Sequence, residues 1–191
     1  MEPLNILAPL GGQVPPKVFS KVVHLPICQK LAAFLNAARQ DALKGDYLSE
    51  KMVLALDPGE TTGVAYIDPE ANKIVILQWD TGPNRLGESF AEFLNILVEN
   101  PIASVRYEDY RVYQWKAGDH AWAALHTPQW IGAIKVGCHY ARVPATGKLA
   151  QQAKTFWTDQ KLKTFNMYEP GLKHARDALR HLLYYLCFPK V

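Results

Sequence analysis

Four residues of this 191-residue chain combine side-chain type and placement suited to holding a hard cation: Asp57, Glu108, His174 and Asp177. Asp57 ends the apolar run "MVLAL" (52–56) and is followed at once by Pro58 and Gly59, within "LALDPGETTG". That places a carboxylate where a buried strand meets solvent, the end at which open α/β sheets bind ligands. Glu108 lies in the strand-like stretch "VRYEDY". Alternation sends Val105, Tyr107 and Asp109 to one face and Arg106, Glu108 and Tyr110 to the other, so without a bulge only one of the two acids faces Asp57. His174 and Asp177, three residues apart in "KHARDALRHLLYYL", share a helical face. Carboxylates gathered closely repel unless they are protonated or a cation neutralises them. Oxygen donors favour Mg²⁺ or Mn²⁺, and two such ions about 4 Å apart would activate water and stabilise a leaving oxygen in phosphodiester hydrolysis.

Taken singly, each residue has an ordinary explanation. Asp before Pro-Gly caps a turn, Glu108 pairs with a nearby Arg, and His174 and Asp177 decorate a helix surface. Only the set, taken together, points to metal; Gly59 and Gly63 then remove bulk where the metal and a phosphate are expected to approach.

The elements that must position these residues can be read from pattern. Strands are expected at 52–56, 62–68 and 73–79, the last two joined by a hairpin turn at "PEAN", with a helix at 86–99 and a strand at 103–110. Leu86, Phe90, Phe93, Leu94 and Leu97 form the apolar face of that helix. Helices are then expected at 119–126, 128–140, 148–160 and 172–187, with a short strand at 141–145. Trp130 and Ile134 are expected to face the sheet or a second subunit. Leu182, Tyr185 and Leu186 supply the apolar side of the last helix. Three antiparallel strands followed by helix–strand alternation predict a mixed five-stranded α/β sheet flanked by helices. Five prolines among residues 1–27 read as an irregular arm, and "CQKLAAFLNAARQDALK" (28–44) as a helix. The chain is therefore divided into a 1–50 extension and a 51–191 domain.

Overall charge is modest, at +3, but unevenly placed: residues 130–191 hold ten basic and three acidic residues, while 51–129 hold six basic and eleven acidic. An acidic region beside a basic one suits a site that binds cations and also meets an anion. Cys28, Cys138 and Cys187 are few, odd in number and widely spaced, which fits a reducing cytoplasm. Neither a membrane span nor a secretory signal is expected.

The pieces "LALDPGETTGVAY", "VRYEDYRVY" and "HARDALRHLLYYL", in that order, resemble RuvC-like Holliday junction resolvases of the RNase H-like superfamily, more closely the phage-type versions. The spacing is similar too, about 50 residues from the first acid to the second and about 70 to the last, and "WIGAIKVGCHYARVPATGKLAQQAK" resembles the helix and strand between. The resemblance spans about residues 52–187. It implies that Asp57 is shared by two Mg²⁺ ions (Mn²⁺ substituting), that Glu108, His174 and Asp177 complete the site, and that a homodimer cuts four-way or otherwise branched DNA in a bacterial or phage-infected cytoplasm. Family members start at the first strand, so the roughly 50 preceding residues are open to reading as an accessory arm, a dimer element or sequence ahead of a start at Met52.

For DNA, the basic C-terminal third offers Lys148, Lys154, Lys173 and Arg176 for phosphates, with Lys135, Arg142, Lys161 and Lys163 in reserve. "YRVYQWK" offers Arg111 and Lys116, and Tyr110, Tyr113 and Trp115 for stacking on bases at an opened junction. "LDPGETTGVAY" is also similar to the phosphate hairpin of actin-like ATPases. Those need two lobes and a second Asp-Gly motif, which this chain lacks, and no Gly-Lys-Ser/Thr follows the glycines, so no nucleotide cofactor is expected. Two alternatives remain: an RNase H-like nuclease for DNA packaging or RNA processing, and a non-catalytic DNA-binding protein retaining the fold.

Overall fold

The structure, a computed structural model, describes residues 19–39, 52–68, 72–110 and 125–188. Among these residues six strands form one mixed sheet: β1 (Phe19–Pro26), β2 (Met52–Asp57), β3 (Thr61–Asp68), β4 (Lys73–Asp80), β5 (Ile102–Glu108) and β6 (Ala145–Lys148). Their spatial order is β1-β4-β3-β2-β5-β6. The pairs β1–β4, β4–β3 and β3–β2 are antiparallel, while β5 lies parallel to β2 and β6 parallel to β5. Among the described residues the helices are α1 (Gln29–Arg39), α2 (Leu86–Glu99), α3 (His126–Tyr140), α4 (Ala150–Phe156), α5 (Asp159–Thr164) and α6 (Lys173–Cys187). Among the described residues no helix is long and apolar enough to cross a membrane.

β2 is buried along its whole length, as its unbroken apolar sequence requires of a central strand. Its alternate residues feed two cores. Val53 and Ala55 face a layer containing α1 and α6, whereas Met52, Leu54 and Leu56 face one built from α2 and α3. Trp130 and Ile134 are fully buried in the second core, as expected of residues facing the sheet.

The N-terminal segment differs from its expected form. Part of the irregular arm is a strand, β1, paired along β4 with a bulge between Ser20 and Val23. It adds a sixth strand to the five expected. Leu31 and Leu35 of α1 are completely buried with α6 and the sheet, so residues 19–39 share a core with the region beyond residue 50. Alternating Val23 and Leu25 could have betrayed the strand, but the surrounding prolines obscured it.

Two further boundaries moved. Arg142, with φ of 56°, turns the chain after α3, and the strand expected at 141–145 is instead Ala145–Lys148. The single helix expected at 148–160 is two, because Trp157 plunges into the core and Thr158 restarts the helix by accepting the Lys161 N–H at 3.3 Å. The helix expected at 119–126 falls almost entirely outside the described residues.

α6 crosses the α1-side face of the sheet, and one position allows it to sit there. A Cβ on Gly63 of β3 would overlap the His174 carbonyl and lie 2.7 Å from the Ala175 nitrogen. The bare glycine thus lets the first turn of α6 rest on strand backbone. The His174 N–H also donates to the Gln78 side-chain oxygen on β4 at 3.2 Å. Gly63 pairs with Asp57 on one side and Gln78 on the other, so one row across three strands seats the helix.

Two substitutions test this packing. Leu35→Ala should cost about 2–5 kcal/mol in urea unfolding, as a fully buried leucine does; a loss near zero would show that α1 is dispensable to the core. Gly63→Ala should cost more than the ~1–3 kcal/mol of ordinary overpacking, because the obstacle is helix backbone and not a movable side chain. An unchanged melting temperature would refute the seating.

Candidate active site

At the C-terminal end of β2, three carboxylates arrive from three elements. Asp57 ends β2. Glu108 ends the adjacent parallel strand β5, one residue past the Leu56–Tyr107 pair. Asp177 comes from the second turn of α6. Asp57 is 8% exposed and Asp177 6%. The turn that carries the chain away from Asp57 is held by a buried hydroxyl cluster. Thr62 and Thr81 hydroxyls lie 2.7 Å apart, Thr81 donates to the Gly59 carbonyl at 2.6 Å, and the Trp130 indole donates to Thr62 at 2.9 Å. This gives Thr62, the second threonine of the motif, its reason.

Each carboxylate has a basic partner. His174 Nδ1 lies 2.9 Å from Asp57 Oδ2, and His181 Nε2 lies 3.2 Å from Glu108 Oε2. Arg180 bonds Asp177 Oδ1 and Asp159, and donates from Nε to the Trp157 carbonyl at 2.8 Å. Lys154, on α4, bridges the site: its Nζ is 3.2 Å from Glu108 Oε2 and 3.1 Å from Asp177 Oδ2.

The titration behaviour reflects crowding. Burial pushes the Asp57 carboxyl up, and the Glu108 and Asp177 charges add to this, against the hydrogen bond to His174. For Glu108 burial also pushes upward, but the His181 hydrogen bond and the Lys154 charge outweigh it, leaving the group below its usual range. Burial pulls Lys154 down, yet Glu108 and Asp177 overcome it and hold the ammonium above its ordinary value. His174 is raised by its bond to Asp57, against partial burial. One contact therefore acts oppositely on its two partners, and for Asp57 burial wins.

Asp57, Glu108, His174 and Asp177 are brought to one end of the sheet. Among the described residues no three His, Cys, Asp or Glu side chains converge on a single point as they stand. The position between Glu108 and Asp177 is nevertheless a cation position, because the Lys154 ammonium sits in it. Three crowded oxygen donors with an imidazole alongside fit a hard divalent ion in their chemistry.

The other expected residues are distributed differently. Lys154, expected to reach phosphate, faces the carboxylates. Arg176 donates to the Glu169 carbonyl at 2.8 Å and stacks on Tyr168, while Lys173 is exposed and Lys148 half-buried. Of the reserve lysines, Lys161 sits 3.6 Å from the Phe156 ring centroid within an aromatic cluster, Lys163 lies over Tyr168 and Lys135 over Tyr107; Arg142 is exposed. Tyr110 packs against the α2–α3 core, because β5 stops at Glu108 and strand alternation no longer applies. Asp109 follows directly beyond β5, its backbone N–H bonded to the Lys148 carbonyl at 2.9 Å. With Pro58, Glu108, Tyr110, Thr127 and Gln151 it lines an open cavity of about 270 Å³ beside the site. Arg111, Tyr113, Trp115 and Lys116 lie outside the described residues. Gly63, expected to clear space for metal and phosphate, instead clears space for α6. His181 and Arg180 were not anticipated, although His181 stands seven residues after His174 and four after Asp177, on the same helical face.

The strand order and flanking helices define an RNase H-like mixed α/β fold, shared with RuvC of Thermus thermophilus. The structure of that RuvC in complex with a Holliday junction substrate matches with a TM-score of 0.58, and another Thermus thermophilus RuvC structure with 0.53. In both cases identity is 20%, and the match covers 73% of this chain and 95% of RuvC. No protein-family model matches the chain, and no curated protein matches its sequence.

In metal-free solution the His174 ring should titrate above its ordinary 6.5. A raised midpoint means that the proton on His174 stabilises the folded state fully below 6.5, and that this contribution is lost as pH rises through the folded midpoint. Proton NMR in chelator should show the midpoint falling towards 6.5 in Asp57→Asn. A wild-type midpoint at or below 6.5 would contradict the pairing.

Proposed function

We propose that this chain is a divalent-metal-dependent endonuclease that cuts branched DNA, four-way junctions included, and works as a homodimer. The observation that carries the reading is the arrival of Asp57, Glu108 and Asp177 from three separate elements at one end of the sheet, where the charges of the other two act on Asp57, with His174 bonded to Asp57, in a fold shared with RuvC.

Asp57, Glu108, Asp177 and His174 would hold the metal, Mg²⁺ or Mn²⁺ and two ions in number. When bound, the metal supplies activation of a water and neutralisation of the oxyanion that leaves phosphorus. The remaining work belongs to the protein. His174 holds the Asp57 carboxylate from the helix side, and the Thr62–Thr81–Trp130 cluster holds the turn that follows Asp57 through the Gly59 carbonyl. His181 fixes the orientation of Glu108, and Arg180 that of Asp177. Such supporting bonds keep ligands in place while the reacting groups change charge. Lys148 and Lys173 are the side chains from the basic third that remain best placed to meet a DNA backbone, with Arg176 and the segment carrying Arg111, Tyr113, Trp115 and Lys116 as further contacts. Binding of that kind weakens steeply with salt, because each neutralised phosphate releases counterions.

The test is a cleavage assay with Mg²⁺ on a synthetic four-way junction, a Y-fork and linear duplex. Wild type should cut the branched substrates in preference to duplex. Asp57→Asn should abolish cutting while retaining junction binding in a gel-shift assay, and full activity in that variant would eliminate the site. Equal cutting of duplex or of RNA would keep the nuclease but remove the junction specificity. His181→Ala should lower activity by about 10–100-fold, the usual cost of losing a residue that orients a metal ligand. Wild-type rates would mean that Glu108 needs no such support.

A further inference from the structure

We propose that Lys154 is a built-in cation that holds the gap between Glu108 and Asp177 while no divalent metal is bound and leaves when metal enters. Loading of the site is then an exchange of ammonium for metal. This rests on the metal-binding reading above and adds a competitor that belongs to the chain itself.

One oxygen of each of the two carboxylates is already held by Lys154. Arg180 engages Asp177 Oδ1, leaving Oδ2 as the atom that can turn to a metal, and that atom holds Lys154 at 3.1 Å. Glu108 Oε2 is shared between His181 and Lys154, each at 3.2 Å. The ammonium therefore occupies the gap, and one oxygen on either side of it, that a metal between these carboxylates would use. Two cations cannot share that space, so one must go.

Arg180 and Lys154 are unequal candidates for leaving. The Arg180 side chain is 10% exposed and bonded to Asp177, Asp159 and the Trp157 carbonyl. Its planar fork is used on three partners at once, and removing it would strand a buried charge. The Lys154 side chain is 39% exposed and makes point-charge contacts through a flexible stem. An exit also lies close by. Gln151, one turn earlier on α4, lines the open cavity beside Glu108, so the ammonium can swing out along its own helix without disturbing the core. Arg180 is the fixed counter-ion and Lys154 the exchangeable one.

The exchange has a second face. Without metal, Lys154 offsets the repulsion among Glu108, Asp177 and Asp57, so the empty site keeps its shape. With metal, that role is redundant.

The experiment compares wild type with Lys154→Met, which keeps the stem and removes the charge. Mn²⁺ binding is measured by electron paramagnetic resonance of the free ion, and thermal unfolding in chelator and at saturating Mn²⁺. Lys154→Met should bind Mn²⁺ about tenfold more tightly, the scale of two partly buried ion pairs lost from the competing state. It should also unfold at lower temperature than wild type in chelator, with the gap closing at saturating Mn²⁺. Lys135→Met removes the same charge on the other face of the sheet, where Lys135 lies over Tyr107, and should leave Mn²⁺ affinity close to wild type. Unchanged or weaker affinity in Lys154→Met overturns the exchange, as does an equal gain in Lys135→Met. If wild type and Lys154→Met both fail to bind Mn²⁺, the metal-binding reading falls and the exchange with it. Binding by wild type without the gain overturns the exchange alone.

Discussion

The seat of α6 on the backbone of β3 is the contact on which the rest of the site depends. A helix crossing a sheet normally stands off by the thickness of two side-chain layers, too far for its first turn to meet the end of a strand. Gly63 removes one layer at a single point, and the helix settles there. From that pivot its residues step outward across the sheet: His174 above Asp57 on β2, His181 beside Glu108 on β5, and Tyr185 under the Arg106 guanidinium at 4.0 Å. Gln78 completes the seat by receiving an N–H of the first turn that has no partner within the helix. Geometry at the site is thus inherited from a packing event that involves no charge.

The same geometry creates an electrostatic problem. Asp57, Glu108 and Asp177 are near enough for the charges of the last two to disfavour ionisation of the first in a partly buried setting. The chain answers with two kinds of basic group. His174, His181 and Arg180 come from the same helix and are fixed by the same packing. Lys154 comes from another helix and reaches in on a long stem. The aromatic cluster of Phe34, Phe156, Trp157 and Phe165 lies beneath the α4–α5 break and ties that region to α1. The N-terminal segment is therefore connected to the region that carries Lys154 and Asp159 through the packing of this cluster.

The strand core was legible because β2, β3 and β4 carry the patterns of their burial: continuous apolar for the middle strand, a short turn between the next two. Asp57, Glu108 and the His174/Asp177 pair were legible because a charge interrupting such patterns stands out. The partners were not. His181 and Arg180 sit in a helix already rich in polar residues, and nothing local separates a buried arginine from a solvated one. Lys154 looked like any other base in a basic region, since its neighbours in space lie 46 residues before it and 23 after. Gly63 marked a close approach in the sequence, but a missing side chain does not say what approaches, and helix backbone took the place expected of metal and phosphate.

The added strand β1 also bears on how copies of this chain can meet. A sheet grows by exposing unpaired amides and carbonyls along a flat edge. Here β1 covers β4, and its own outer rim is poor material for continuation, with a bulge after Ser20, the exposed Lys21 and a terminal Pro26. The opposite border, β6, is four residues long. Neither margin invites a neighbouring chain to extend the hydrogen-bonded ladder. Within the described residues, the homodimer proposed above would therefore meet through helical surfaces, where side-chain shape, and not backbone pairing, would set the angle between partners.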